Sequence, residues 1–227
     1  MKTPVVDYRE FRLRKLNDPR FSHLKYLFGW IGYFALYFLT ENLIAPERCV
    51  SVHAPLDDLI PFCEIFVIPY VGWYALIVFC LIYFALYSPE SFKKLMTFII
   101  VTQVTAMAIY IAFPSRQDLR PLYFERENIL TAIMGLIYRF DTNTGVCPSL
   151  HVAYSLGIAS VWLKFDTKKW AKALVTLFCL WVCVSVAFVK QHSVIDIYAA
   201  IPLGILAEAI TYGKDWWLPR LKKLKKA

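Results

Sequence analysis

The sequence predicts an all-α, polytopic membrane protein: a bundle of six transmembrane helices with both termini cytoplasmic. Three observations predict it. The 227-residue chain is 59% hydrophobic and only 19% charged, whereas a soluble domain is about a quarter charged and about half apolar. The apolar residues gather in long runs such as residues 66–87, enough to cross a hydrocarbon core of ~30 Å. The basic residues collect at alternate ends of those runs, the pattern that sets orientation in a bilayer.

Residues 1–25 are basic, with Lys2, Arg9, Arg12, Arg14, Lys15, Arg20 and Lys25, and suit a partly helical amphipathic lead-in on the membrane surface. The segment is too long and too charged for a signal-peptide n-region, so the apolar run after it reads as an uncleaved anchor. That first span covers residues 26–44. A polar loop with Pro46, Glu47, Asp57 and Asp58 follows. The second span covers 66–87, a short turn 88–94, and the third span 95–113. Residues 114–148 are the longest stretch outside the membrane, carrying Arg116, Arg120, Glu125, Arg126 and Arg139, with a short helix near 129–138. The fourth span, 149–163, is short and must start below the interface or lean within the bundle. A turn with four Lys (164–172) precedes the fifth span, 173–189, and the sixth, 193–212. The tail, 214–227, sets Trp216 and Trp217 beside Lys and Arg, a membrane-interface anchor. The chain thus divides into a basic lead-in (1–25), a six-helix domain (26–213) and a basic tail (214–227). The basic segments and Lys93-Lys94 fall on one side, Asp57, Asp58 and Glu64 on the other. By the positive-inside rule the loop 114–148 and the turn Lys190-Gln191-His192 face outward.

The net charge of +8 is explained by anionic lipid headgroups and topology, so nucleic-acid binding is not expected. Of six cysteines, Cys80, Cys179 and Cys183 lie in apolar runs as small hydrophobes. Cys49 and Cys63 share one outer loop and can form a disulfide, and Cys147 precedes Pro148-Ser149. No C-x-x-C spacing occurs, so neither a zinc site nor a cofactor is expected.

Three segments reach the outer side: residues 113–121, 147–151 and 190–196. His192 and Asp196 are four apart and share a helix face. The carboxylate can accept the proton of one imidazole nitrogen and leave the other as a nucleophile. Pro148-Ser149 at a helix start turns backbone N–H groups toward an anion. His151, one turn in, is placed to protonate a leaving alkoxide. Arg120 and Lys190 can neutralise phosphate oxygens, Arg in a bidentate way. Ionisable groups at a membrane protein's interface are costly and tend to be functional. Each residue also has a structural reading: His192–Asp196 as a helix-start pair, His151 as a satisfied interface histidine, Arg120 as a snorkelling side chain. His23 and His53 read as exposed, without a role. Tyr33, Phe34, Tyr37 and Phe38 read as lipid contact and packing.

With Arg120-Pro121, Pro148-Ser149-Leu150-His151 and His192-x-x-x-Asp196 in order, residues 113–204 resemble the type 2 phosphatidic acid phosphatase superfamily. Phe113 stands where that family's first motif usually has Lys, and Arg116 is near enough to take over. Leu150 replaces its Gly. Val186 follows Ser185 where the family has Arg, and Lys190 stands closer to His192 instead. These departures resemble the branch of inositol phosphorylceramide synthases and sphingomyelin-synthase-like transferases. The resemblance implies a metal-independent reaction. His192, aided by Asp196, attacks phosphorus; Arg120, Arg116, Lys190 and Ser149 hold the oxygens; His151 protonates the leaving group; a phosphohistidine forms. Release to water makes a lipid phosphatase acting on an amphiphilic phosphate monoester or prenyl (di)phosphate. Transfer to an alcohol makes a headgroup transferase. A non-catalytic lipid binder or transporter is the reading from another class. The expected setting is a bacterial plasma membrane with the site facing outward, and association into a homo-oligomer is left open.

Overall fold

In the computed structural model, which describes residues 4–224, the chain is mostly helical. In chain order the helices are α1 Phe28–Leu43, α2 Pro55–Leu59, α3 Val67–Tyr87, α4 Pro89–Ala112, α5 Ile129–Phe140, α6 Leu150–Lys164, α7 Lys169–Phe188, α8 Val194–Tyr212 and α9 Leu218–Leu224. Two short strands in the loops, β1 (Val50–Ser51) and β2 (Ser115–Arg116), pair in parallel. Lys2 of the basic lead-in and residues 225–227 of the tail lie outside the described residues.

Four segments are long and apolar enough to cross a membrane: Glu64–Tyr87, Pro89–Ala112, Lys169–Phe188 and Val194–Leu224. The first and fourth expected spans correspond to α1 and α6, of 16 and 15 residues. At 1.5 Å per residue they reach roughly 24 and 22 Å, short of the ~30 Å core. Residues 89–94, expected as a turn, are instead the first turns of α4. Ser88 caps that helix by accepting from Ser91 N at 3.3 Å, and Pro89 takes the first helical position, where a missing N–H costs nothing.

Helix α6 sits in the middle, packed on α4, α7 and α8. Val152, Ala153, Tyr154 and Ser155 are consecutive and all buried, so it has no polar stripe because neighbours surround it. Gly157 permits this. A Cβ there would lie 2.5 Å from Phe98 Cδ1 on α4, and only glycine allows so close an approach.

The basic lead-in is not an amphipathic helix. It makes two 3-10 turns, Leu13–Lys15 and Ser22–Leu27, and docks on the end of α3. Val5 N and Val6 N donate to Leu86 O at 2.9 and 3.3 Å, and Tyr8 Oη donates to Ala85 O at 2.9 Å. This docking buries Phe21 and His23 completely. His23, expected as exposed, has its Nε2 2.6 Å from Tyr8 Oη and its ring edge-on to Phe92. At the same end of the bundle, Glu208 of α8 accepts from Lys164 Nζ (2.7 Å), Ser160 Oγ (2.6 Å) and Trp217 Nε1 (2.7 Å). The Lys164 ammonium also lies 4.4 Å from the Tyr212 ring centre. Cys49 and Cys63 are not bridged to each other.

Candidate functional site

The three outer segments meet at the end of the bundle opposite Lys164. Gly145 N and Cys147 N donate to Ser115 O and Oγ at 2.7 and 3.1 Å, joining the first segment to the second. Gly145 has φ +60 and needs no Cβ there. Ser149 N donates to Asp196 O at 3.1 Å, joining the second to the third.

The turn that presents His192 is a Schellman cap on α7. Lys190 N donates to Ala187 O (3.1 Å) and Gln191 N to Val186 O (3.0 Å), with Lys190 at φ 52. Glycine is usual at such a left-handed position. Lysine stands here because its side chain is used: Nζ donates to Asp57 O at 2.9 Å and to Ile60 O. Burial lowers its pKa, opposed by Asp57 and Asp58.

Ser193 then caps α8, and Asp196 returns a hydrogen bond to Ser193 N at 3.0 Å, completing a capping box. The same Asp196 Oδ2 lies 3.1 Å from His192 Nδ1. Asp196 is fully buried and His192 nearly so. The carboxylate therefore fixes the ring and leaves Nε2 as the free nitrogen. Asp57, read in the sequence as a polar loop acid, is 2% exposed. Its carboxylate accepts from Ser193 Oγ (2.6 Å), Val194 N (2.8 Å) and Ala54 N (2.8 Å). The loop around α2 is thus stapled to both sides of His192. The signal for it was in the sequence: Pro55 followed by Asp57 is a helix start with an acid at its third position.

His151 faces His192 with ring centres 5.8 Å apart. Its imidazole stacks on Tyr70 (4.6 Å) and lies against Trp73 (4.1 Å). Its Nε2 is enclosed without a hydrogen-bond partner. Both histidines line a cavity of about 550 Å³ between α1, α3 and α6. Its walls are chiefly aromatic, with Trp30, Tyr33, Phe34 and Tyr37 from α1 and Tyr70, Trp73 and Tyr74 from α3. Ile77, Val78 and Leu81 line it further along α3. From Tyr70 to Leu81 the groove descends about 16 Å at 1.5 Å per residue. Tyr33, Phe34 and Tyr37 therefore wall the cavity, against their reading as lipid contact. Positions 30, 33, 34 and 37 form one helical face, which is the signal that could have found them. Phe38 points elsewhere and is exposed.

The expected phosphate ligands are placed differently. Arg120 reaches the site's wall but is held by protein acceptors: Tyr138 O, Asp141 O and Thr142 O at 3.2, 2.9 and 2.8 Å, and Gln191 Oε1 at 2.7 Å. Arg116 pairs with Asp118 at 3.3 Å on β2. Ser149 is fully buried, its Oγ accepting from Val152 N as the cap of α6. None of Arg116, Arg120, Ser149 and Lys190 lines the cavity. The ionisable lining residue that the sequence did not flag is Asp141, whose carboxylate meets Tyr37 Oη and Gln191 Nε2 at 3.3 Å each. Burial raises its pKa, opposed first by Arg120 and then by His192. Among the described residues no group of three or more His, Cys, Asp or Glu is arranged to hold a metal ion.

What this geometry can do is bounded by its parts: an oriented imidazole, a second imidazole facing it, and an aromatic groove leading away into the bundle. No protein-family model, curated protein or solved structure matches the chain.

Proposed function

We propose that the protein is an integral membrane enzyme that cleaves a phosphate ester on an amphiphilic lipid through a phosphohistidine. The observation that carries this is the His192–Asp196 pair at 3.1 Å, facing His151 across one end of an apolar groove. Nucleophile, orienting carboxylate and second imidazole stand in the order that covalent catalysis needs.

In this reading α1 and α6 complete six spans, leaning or starting below the interface, and both termini are cytoplasmic. The groove opens from the outer side, toward lipid. His192 Nε2 attacks phosphorus and the P–O bond to the lipid alcohol breaks. The departing alkoxide takes its proton from His151, and water then hydrolyses the P–N bond to release phosphate. Arg120 supplies positive charge from behind Gln191 and Asp141. Contacts of this kind commonly tighten only with substrate bound. A second reading, transfer of the phosphoryl group to another lipid alcohol, is favoured by one feature: the walls beside His192 are mostly aromatic and leave water little polar surface.

The test is phosphate release from a panel of lipid phosphates by the detergent-purified protein, with EDTA present, beside His192→Ala. The expected result is release that EDTA does not affect and that falls by about 10⁴-fold or more in the variant. Release that persists in His192→Ala sinks the phosphohistidine. No release by the wild type, but label moving from a phospholipid donor to an alcohol acceptor, replaces hydrolysis with transfer.

A further inference from the structure

The cavity walls carry a chemical demand that hydrocarbon cannot meet. Trp73 is 6% exposed, and both its indole N–H and that of Trp30 are buried without a hydrogen-bond partner. An indole N–H is a donor only, so it can be satisfied only by an acceptor. Elsewhere the chain pairs such groups: Trp162 Nε1 donates to Cys80 Sγ at 3.2 Å and Trp217 Nε1 to Glu208 at 2.7 Å. The two indoles left over both line this cavity.

They also share a depth. Trp30 on α1 and Trp73 on α3 both contact the ring of Tyr154, at 6.1 and 5.5 Å between centres. Tyr154 is three residues after His151 on α6, about 4.5 Å further into the bundle. Beyond that level the α3 wall becomes aliphatic, with Ile77, Val78 and Leu81. The cavity is therefore layered: two imidazoles, then two N–H donors one turn below, then hydrocarbon.

We infer that the ligand is an acylated phosphate lipid, with an ester or amide carbonyl a few bonds from its phosphate that accepts from Trp73 and Trp30. This rests on the reading of the histidine end as a phosphate-ester site. A polyprenyl phosphate places only hydrocarbon at this level and leaves two buried donors unpaired, the arrangement by which a polar site rejects an analogue lacking its partner.

The experiment uses two phosphonate lipids that no hydrolase turns over, identical except that one carries its single chain through an ester and the other through an ether. Their Kd values are measured on the full-length protein, on Trp73→Phe and on Trp30→Phe, each of which keeps a ring but loses the N–H. The wild type is expected to bind the ester about fivefold more tightly, the worth of one net neutral hydrogen bond. Each substitution is expected to erase much of that preference while the protein retains its melting temperature. Equal binding of the two lipids by the wild type overturns the inference. So does an ester preference that survives in both variants, or binding of neither lipid. Phosphate release from the parent esters is scored separately. Ester-selective binding without release leaves the inference standing and fails the hydrolase reading.

Discussion

The two ends of the bundle each bury a carboxylate network, and they are built to opposite plans. Around Lys164, every strong group is spent on another: Glu208 takes Lys164, Ser160 and Trp217, and the ammonium is also covered by Tyr212. Around His192 the network is closed on one side and open on the other. Asp57, Ser193 and Asp196 satisfy one another and the start of α8, but His151 Nε2 has no partner and the ring of His192 fronts a cavity. A fully satisfied network rigidifies a fold. A network with a reactive edge left over is a site, and the closed half holds the open half in place.

The largest effect should come from breaking that closed half. Asp57→Ala leaves Ser193 Oγ, Val194 N and Ala54 N without their shared acceptor. We expect a loss of about 3–5 kcal/mol of stability, as for breaking a buried charged pair. Turnover per folded molecule should also fall by about 10²-fold, since a misplacement near 1 Å costs that much. Melting in detergent and phosphate release check the two parts. Wild-type values for both would show that the loop around α2 does not position His192. The matching cut at the other end is Glu208→Ala, which strands a largely buried Lys164 ammonium. Here about 2 kcal/mol of stability should go, less than for a fully buried pair because both side chains keep some solvent contact. Turnover per folded molecule should stay at the wild-type value, and a drop in it would erase the contrast between the two ends.

The same contrast explains what the sequence made legible. The spacing of His192 and Asp196 dictates a shared helix face, and Pro148-Ser149 marks a helix start one turn before His151, so the reactive edge could be read directly. The supporting half could not. Arg120 looks like a phosphate ligand because it is cationic, yet its guanidinium answers a local need: the carbonyls of Tyr138, Asp141 and Thr142 leave α5 without a following helix to pair them. Lys190 likewise goes to the carbonyls of a loop 130 residues away in sequence. A long side chain advertises its charge in the sequence, but its direction is set by acceptors that only the fold brings near. The apolar runs were readable as membrane helices by length for α3, α4, α7 and α8. They were less so for α1 and α6, whose short lengths reflect one helix walling a cavity and another enclosed at the centre.

Asp141 offers the finest probe, because it is the acid on the open side. Burial raises its pKa above the ordinary 3.8. The sign follows from linkage: a raised folded-state pKa means the native protein holds the proton more tightly than the unfolded chain. The stability this contributes is full below 3.8 and is lost as pH rises through the raised value. Asp141→Asn cannot titrate, so it should escape that loss. At pH 7 the variant should melt a degree or two above the wild type, a shift on the order of the few degrees per kcal/mol usual for a chain of this size. Near pH 4 the advantage should shrink. An advantage of equal size at both pH values would mean that ionisation of Asp141 is not what strains the wall. The substitution also removes negative charge beside His192, so the KM for an anionic phosphate ester should fall modestly in Asp141→Asn, whereas Glu208→Gln at the closed end should leave it alone.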